Sequence, residues 1–206
     1  TRYLVQHTGG YGMLISGTVT SLGDDKNVVI RSDQDVIMRG NVNVTGAGSS
    51  LTLQSDEWLY VEGFATATSE LNLLGGVAVD GTALTGDGAR ADARGTSVHV
   101  HATSTLRTTA ANSQVAVVGA EDVDIFGALV AGGSIGATGV LFATDAQGNG
   151  GADIRVKAGQ QVRLESGLLA SGDVTLQGGT PDADDHWDGQ SMRVSTGDAA
   201  NRLSVL

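Results

Sequence analysis

The chain has 206 residues, of which 31 are glycine, one is proline and none is cysteine, and 12 Lys and Arg stand against 23 Asp and Glu for a formal net charge of −11. Disulfide scaffolds and cysteine-ligated metal centres are excluded, and so acidic a chain is not expected to bind nucleic acid. No apolar run approaches the roughly 20 residues of a membrane helix, so membrane insertion is not expected either.

In chain order, a loose strand pattern near Tyr3, with Gly17 and Val19 following, precedes a much clearer one from Val28 to Val44. Written above Leu51 to Ala67, the Val28–Val44 segment repeats at an offset of 51 − 28 = 23 residues. Val28, Ile30, Val36, Met38, Val42 and Val44 then lie over Leu51, Leu53, Leu59, Val61, Ala65 and Ala67, while Ser32, Asp33 and Gly40 match Ser55, Asp56 and Gly63 identically. From Leu71 to Gly95 the pattern is diluted by glycine and acidic residues and reads as an inserted loop. A looser unit starts near Val98, and a clear one covers Val115 to Ala131 with Val117, Val123, Ile125, Gly127 and Leu129 in register. Gly132 to Asp153 reads as a second insertion, Ile154 to Ala170 as a further unit with its glycine displaced to Gly167, and Met192 as a last loose start.

Within each unit apolar residues alternate at i and i+2 over four to six residues, a strand signal, and no helical period persists. Repetition of the same apolar face predicts an all-β fold, a right-handed parallel β-helix (solenoid) with glycine-rich inserted loops, as a single segment over residues 1–206. At about 20–25 residues per turn and about 4.8 Å per turn, roughly nine turns and a rod of 40–45 Å are expected. A narrow interior favours aliphatics over rings, and the repeated glycine is expected to supply positive φ at a corner. An antiparallel sandwich would need hairpin signals between most strands, but Asp80-Gly81, Asp87-Gly88 and Asp188-Gly189 fall in the diluted stretches.

The runs Ile125-Phe-Gly-Ala-Leu-Val-Ala-Gly-Gly-Ser-Ile135 and Val162-Arg-Leu-Glu-Ser-Gly-Leu-Leu-Ala-Ser-Gly-Asp-Val-Thr-Leu176 resemble the repeats of filamentous-haemagglutinin-like exoproteins. The resemblance implies an internal or terminal section of a longer two-partner-secretion adhesin, secreted or displayed at a bacterial cell surface. The Asn-Pro-x-Gly motif of that family's secretion domain is missing; the sole proline, Pro181, lies in Thr-Pro-Asp.

Four carboxylates in Asp182-Ala-Asp-Asp-His-Trp-Asp188 form the leading metal candidate, with Asp182, Asp184, Asp185 and Asp188 as oxygen ligands for calcium. A solvated acidic loop around Trp187 is the simpler reading. Asp145 to Asp153 is similar to a degenerate calcium nonapeptide, against which stands a glycine-rich turn. His99 and His101 alternate with valines and should project from one outward face roughly 7 Å apart, as the start of a metal site or as part of a polar ladder. Asp33 and Asp56 should stack on adjacent turns, with Asp35 and Glu57 nearby, as a carboxylate pair or as solvated corners.

The expected function is that of a non-enzymatic structural and adhesive rod. Its loops, such as Gly76 to Gly95 and Gly178 to Ser191, would be displayed to a cell-surface receptor, a glycan or a matrix component. The alternatives are a carbohydrate-active β-helix enzyme or phage tailspike fragment, and a fibre subunit that self-associates end to end. No cofactor other than calcium is expected.

Overall fold

The computed structural model describes residues 1–9, 11–77, 96–135, 141–143, 152–159, 162–170, 172, 174–178 and 192–194. Every regular element among them is a strand, and three parallel sheets account for all but two of the strands. Sheet A contains β1 (Arg2–His7), β4 (Asn27–Ser32), β7 (Ser50–Ser55), β10 (Glu70–Gly75), β13 (Gln114–Gly119), β18 (Asp153–Ala158) and β21 (Val174–Gln177) in that order. Sheet B contains β2 (Met13–Ile15), β5 (Val36–Met38), β8 (Leu59–Val61), β11 (Thr96–Val100), β14 (Asp122–Ile125), β19 (Val162–Leu164) and β22 (Met192–Val194). Sheet C runs from β3 (Thr18–Ser21) through β6 (Asn41–Val44), β9 (Phe64–Ala67), β12 (Thr105–Thr108) and β15 (Ala128–Ala131) to β20 (Leu168–Ala170). The chain visits A, B and C in turn and then stacks on its own previous circuit, an arrangement consistent with a parallel β-helix. No antiparallel sandwich is formed. The one antiparallel pair among the described residues is β16 (Gly133–Ile135) with β17 (Leu141–Ala143), inside the second expected insertion.

The 23-residue register holds at each position named from the repeat: Val28 pairs with Leu51 and Ile30 with Leu53, Val36 with Leu59 and Met38 with Val61, Val42 with Ala65 and Val44 with Ala67. All twelve are buried, because alternation places them on the inner faces of the three sheets. The largest fully buried side chains, among them Ile30, Met38, Leu51, Leu53, Leu71, Leu106, Ile125 and Leu164, are aliphatic or methionine, with no ring. Fully burying each such side chain contributes about 1.5–3 kcal/mol.

Three expectations need correction. Seven rungs are present among the described residues, because the rungs are unequal: Glu70 to Gln114 spans 114 − 70 = 44 residues and Gln114 to Asp153 spans 153 − 114 = 39. The Leu71–Gly95 stretch is not all loop: Leu71 and Leu73 lie inward on β10, which pairs with both β7 and β13. Consequently Val98 does not open a unit but sits mid-rung in sheet B, and Met192 likewise. Residues 78–95, which separate β10 from β11, lie outside the described residues.

Glycine has a different role from the one expected. Left-handed φ occurs at Gly48, Gly76 and Gly132, not at Gly17, Gly40, Gly63 or Gly127. The latter stack at the corner between sheets B and C, where a Cβ on Gly40 would collide with the Gly17 backbone and one on Gly63 with the Gly40 carbonyl. Close approach, rather than backbone freedom, is what selects glycine at Gly40, Gly63 and Gly127, whereas a Cβ on Gly17 would meet open space. That approach lets the carbonyls that end β2, β5 and β11 each accept two amides from the next rung. Ile15 O receives Arg39 N and Gly40 N, both at 2.8 Å, and Met38 O receives Glu62 N at 2.7 Å and Gly63 N at 3.2 Å.

Candidate functional site

The repeated Ser-Asp corners between sheets A and B are fastened to backbone. Ser32 Oγ accepts from Gln34 N at 3.2 Å and Ser55 Oγ from Glu57 N at 3.0 Å, the two-residue turn that serine supports at strand ends. Both Asp33 carboxylate oxygens accept from Gly9 N (3.2 and 3.1 Å), and Asp35 Oδ1 accepts from Trp58 N at 3.2 Å. Asp56 faces Arg31, 3.9 Å away. Burial raises the Asp56 carboxyl above its ordinary value, Arg31 opposes the rise and Asp33 adds to it. Asp33 and Asp56 do stack on adjacent rungs, following the pairing of Ser32 with Ser55.

His99 and His101 share one outward face as expected, with ring centroids 6.4 Å apart. Among the described residues no group of three or more His, Asp or Glu side chains is placed to hold a metal ion. Both histidines instead belong to a row of rings that the sequence reading did not assemble. Trp58 and Tyr60 on rung 3 lie 5.1 Å apart; Tyr60 stacks on His99 of rung 4 at 5.1 Å with only 12° between planes. His99 meets Phe126 of rung 5 at 5.2 Å, and the Arg163 guanidinium of rung 6 lies 4.8 Å above the Phe126 ring.

Register explains this row. Ile37, Tyr60, His99, Asp124 and Arg163 are successive partners across sheet B, all at the outward parity. Cross-strand neighbours about 4.8 Å apart put rings within offset-stacking distance. Trp58 and Phe126 flank this column from the corners, and all of these rings are half-buried. Charges on the face are matched: Arg39 pairs with Glu62 at 3.2 Å, His99 approaches Asp124 at 3.8 Å, and Arg163 Nε donates to Glu165 at 2.6 Å. Burial raises the Tyr60 phenol above its ordinary value; Glu62 adds to the rise and Arg39 opposes it.

The signal was present in the sequence. Tyr60 and His99 line up, with Phe126 two residues beyond their partner Asp124, once the Val98 segment is written as the middle of a rung instead of its start.

A second, polar cleft of about 300 Å³ lies where sheet C hands over to sheet A, lined by Ser69, Glu70, Asn112, Ser113, Gln114 and Asp153. Its two carboxylates, Glu70 and Asp153, flank Gln114 on the outward side and are both exposed. Asp182, Asp184, Asp185 and Asp188 lie outside the described residues, as does most of the Asp145–Asp153 stretch and of the loops at Gly76–Gly95 and Gly178–Ser191. Compared with family models, curated proteins and solved structures, the chain has no match.

Proposed function

We propose that this chain is a right-handed β-helix segment of a large secreted or surface-displayed bacterial adhesin, a stiff rod offering contact surfaces to a cell-surface receptor, a glycan or a matrix component. Right-handedness is the sense that crossovers between parallel strands almost always take. The observation that carries the reading is the continuous aliphatic interior from rung 2 to rung 6. Such a filled interior leaves recognition to the outer faces and corners. Resemblance of Ile125–Ile135 and Val162–Leu176 to filamentous-haemagglutinin-like repeats supplies the secreted and adhesive part of the proposal. Catalysis is left out because Asp33 and Asp35 are committed to backbone amides and Asp56 faces Arg31. Calcium at Asp182, Asp184, Asp185 and Asp188 remains part of the proposal, and a melting shift between added calcium and chelator would reveal it.

The decisive experiment measures adherence of the purified protein to cells and matrix alongside polysaccharide depolymerisation. Adherence without turnover is the expected result. Turnover that disappears in Asp33→Asn or Asp56→Asn would replace the reading with that of a β-helix enzyme or tailspike fragment. The second reading is a fibre subunit that self-associates end to end. Light scattering across a concentration series tests it; mass that does not rise with concentration rejects it.

A further inference from the structure

The three outer faces of the stack differ in what they offer. Sheet A is covered on its outside over rungs 2 to 4: Val29, Thr52, Gln54 and Leu74 are buried although they point away from the core, and Gln54 Nε2 donates to Val77 O at 3.2 Å. Sheet C presents mostly short polar side chains such as Asn41, Asn43, Thr66 and Thr105. Among the described residues sheet B alone carries rings in a row, whereas sheet C shows the single ring of Phe64. The chain has only three Phe, three Tyr and two Trp, and Trp58, Tyr60 and Phe126 meet on this one face with two of the four histidines. Core packing does not account for that concentration, since the buried core of the described residues contains no large ring.

We infer that the outer face of sheet B from rung 3 to rung 6 binds an extended, uncharged polysaccharide lying along the rod axis through Trp58, Tyr60, His99, Phe126 and Arg163. This deepens the adhesive reading and rests on it by naming the ligand class. Three features select that chemistry. The half-buried rings, stacked on one another and under Arg163, form an apolar strip against which the C–H groups of sugars pack, while the phenol, imidazole and guanidinium supply hydrogen bonds to hydroxyls. The rung spacing of about 4.8 Å is close to the advance of one sugar in an extended chain, so successive rungs meet successive residues in the same way. Over rungs 3 to 6 the row is about 15 Å long, the length of a short oligosaccharide. Finally, each cation on the face stands beside a carboxylate, Arg39 by Glu62, His99 by Asp124 and Arg163 by Glu165. A sulfated or uronic-acid chain would meet those carboxylates and a molecule of net charge −11, and like charge opposes it. Below rung 3 the same column continues through Ile37 to Leu14, which extends the apolar strip toward rung 1.

The test uses the full chain carrying Trp187→Phe, which leaves Trp58 as its sole tryptophan and leaves every residue of the face intact. Mixed-linkage β-glucan, dextran, heparin and alginate are titrated while Trp58 emission is followed, and affinity electrophoresis measures retardation. We expect β-glucan to shift Trp58 emission and retard the protein with little dependence on salt. Tyr60→Ala and Phe126→Ala should each weaken retardation about tenfold, with Tyr60→Phe close to wild type. If truncating a ring loosens the rung, the melting temperature reports it, and the Trp58 signal in the intact face still decides. Absence of any response to β-glucan or dextran overturns the inference, as does equal retardation of well-folded Tyr60→Ala, or salt-sensitive binding to heparin or alginate alone. Cell and matrix adherence is measured on the same preparations. Adherence that persists without polysaccharide binding sinks the face alone, whereas loss of all adherence sinks the adhesive reading itself.

Discussion

Rungs 3 and 4 meet the same geometric demand at the corner between sheets B and C by different means. In rung 3 the Met38 carbonyl accepts Glu62 N and Gly63 N, and glycine is needed because the Gly40 backbone leaves no room for a Cβ. In rung 4 the corner holds two additional residues, Ala102 and Thr103, and Ser104 takes the column position of Gly63. The Val61 carbonyl still has two donors: His101 N at 2.8 Å and the Ser104 hydroxyl at 2.8 Å. Rung 5 returns to glycine at Gly127, and in rung 6 Ser166 Oγ donates to Gly127 O at 2.6 Å. What is preserved along the stack is satisfaction of buried carbonyls, for which a glycine amide and a serine hydroxyl are two solutions.

The largest expected effect comes from forcing one solution into the other's place. Gly63→Ala drives a methyl group into the Gly40 carbonyl and should destabilise by about 3 kcal/mol, the upper range for overpacking, read as a shifted urea midpoint. Loss below about 0.5 kcal/mol would mean that the rungs can separate at this corner, contrary to the close approach described.

Ser104→Ala is milder. It removes the hydroxyl that donates to Val61 O but leaves His101 N in place, so about 1 kcal/mol should be lost, and Ser104→Gly should lose a similar amount. If Ser104→Gly instead stabilises the protein, then rung 4 is closer in geometry to rung 3 than its longer corner implies.

Smallest is Asp56→Asn, which contrasts the buried Ser-Asp corner with these neutral ones. Because burial raises the Asp56 carboxyl, the folded chain holds this proton at pH values where the unfolded chain has released it. Stability contributed by this group is therefore greatest toward acid and declines as pH rises through the window above the ordinary 3.8. Asparagine cannot titrate, so the variant should match wild type within about 0.5 kcal/mol at pH 7 and lack the wild-type gain on acidification. Urea melts from pH 4 to pH 7 check this. A loss that grows from pH 4 to pH 7 would show that attraction to Arg31 outweighs burial.

Much of this was legible from residues alone. Alternation at i and i+2 and the 23-residue offset placed Val28 over Leu51 and Ser32 over Ser55 correctly, because an inward position in a stacked strand has no other side chain available to satisfy it. β10 escaped notice since Leu71 and Leu73 make their sheet A pairings before residues 78–95, which part them from the rest of their rung. The corner glycines were recognised but misread. A close contact between two backbones involves a partner 23 residues away, and sequence spacing shows the recurrence without showing the distance. The ring face is hidden for the same reason as β10: Tyr60 and His99 are direct partners in the stack although 99 − 60 = 39 residues separate them in the chain.

Equal offsets have a further meaning for how such a molecule changes length. Rung 2, from Asn27 through Ser49, presents to rung 1 the same kinds of contact that rung 3 presents to rung 2: Val28 and Leu51, Val36 and Leu59, Gly40 and Gly63. Excising it would set Ser50 after Lys26 and lower Leu51 onto Tyr3 with the backbone ladder unbroken. The rung is thus an interchangeable tile, and duplication or loss of a 23-residue stretch would lengthen or shorten the rod by one strand spacing without a new core having to be invented.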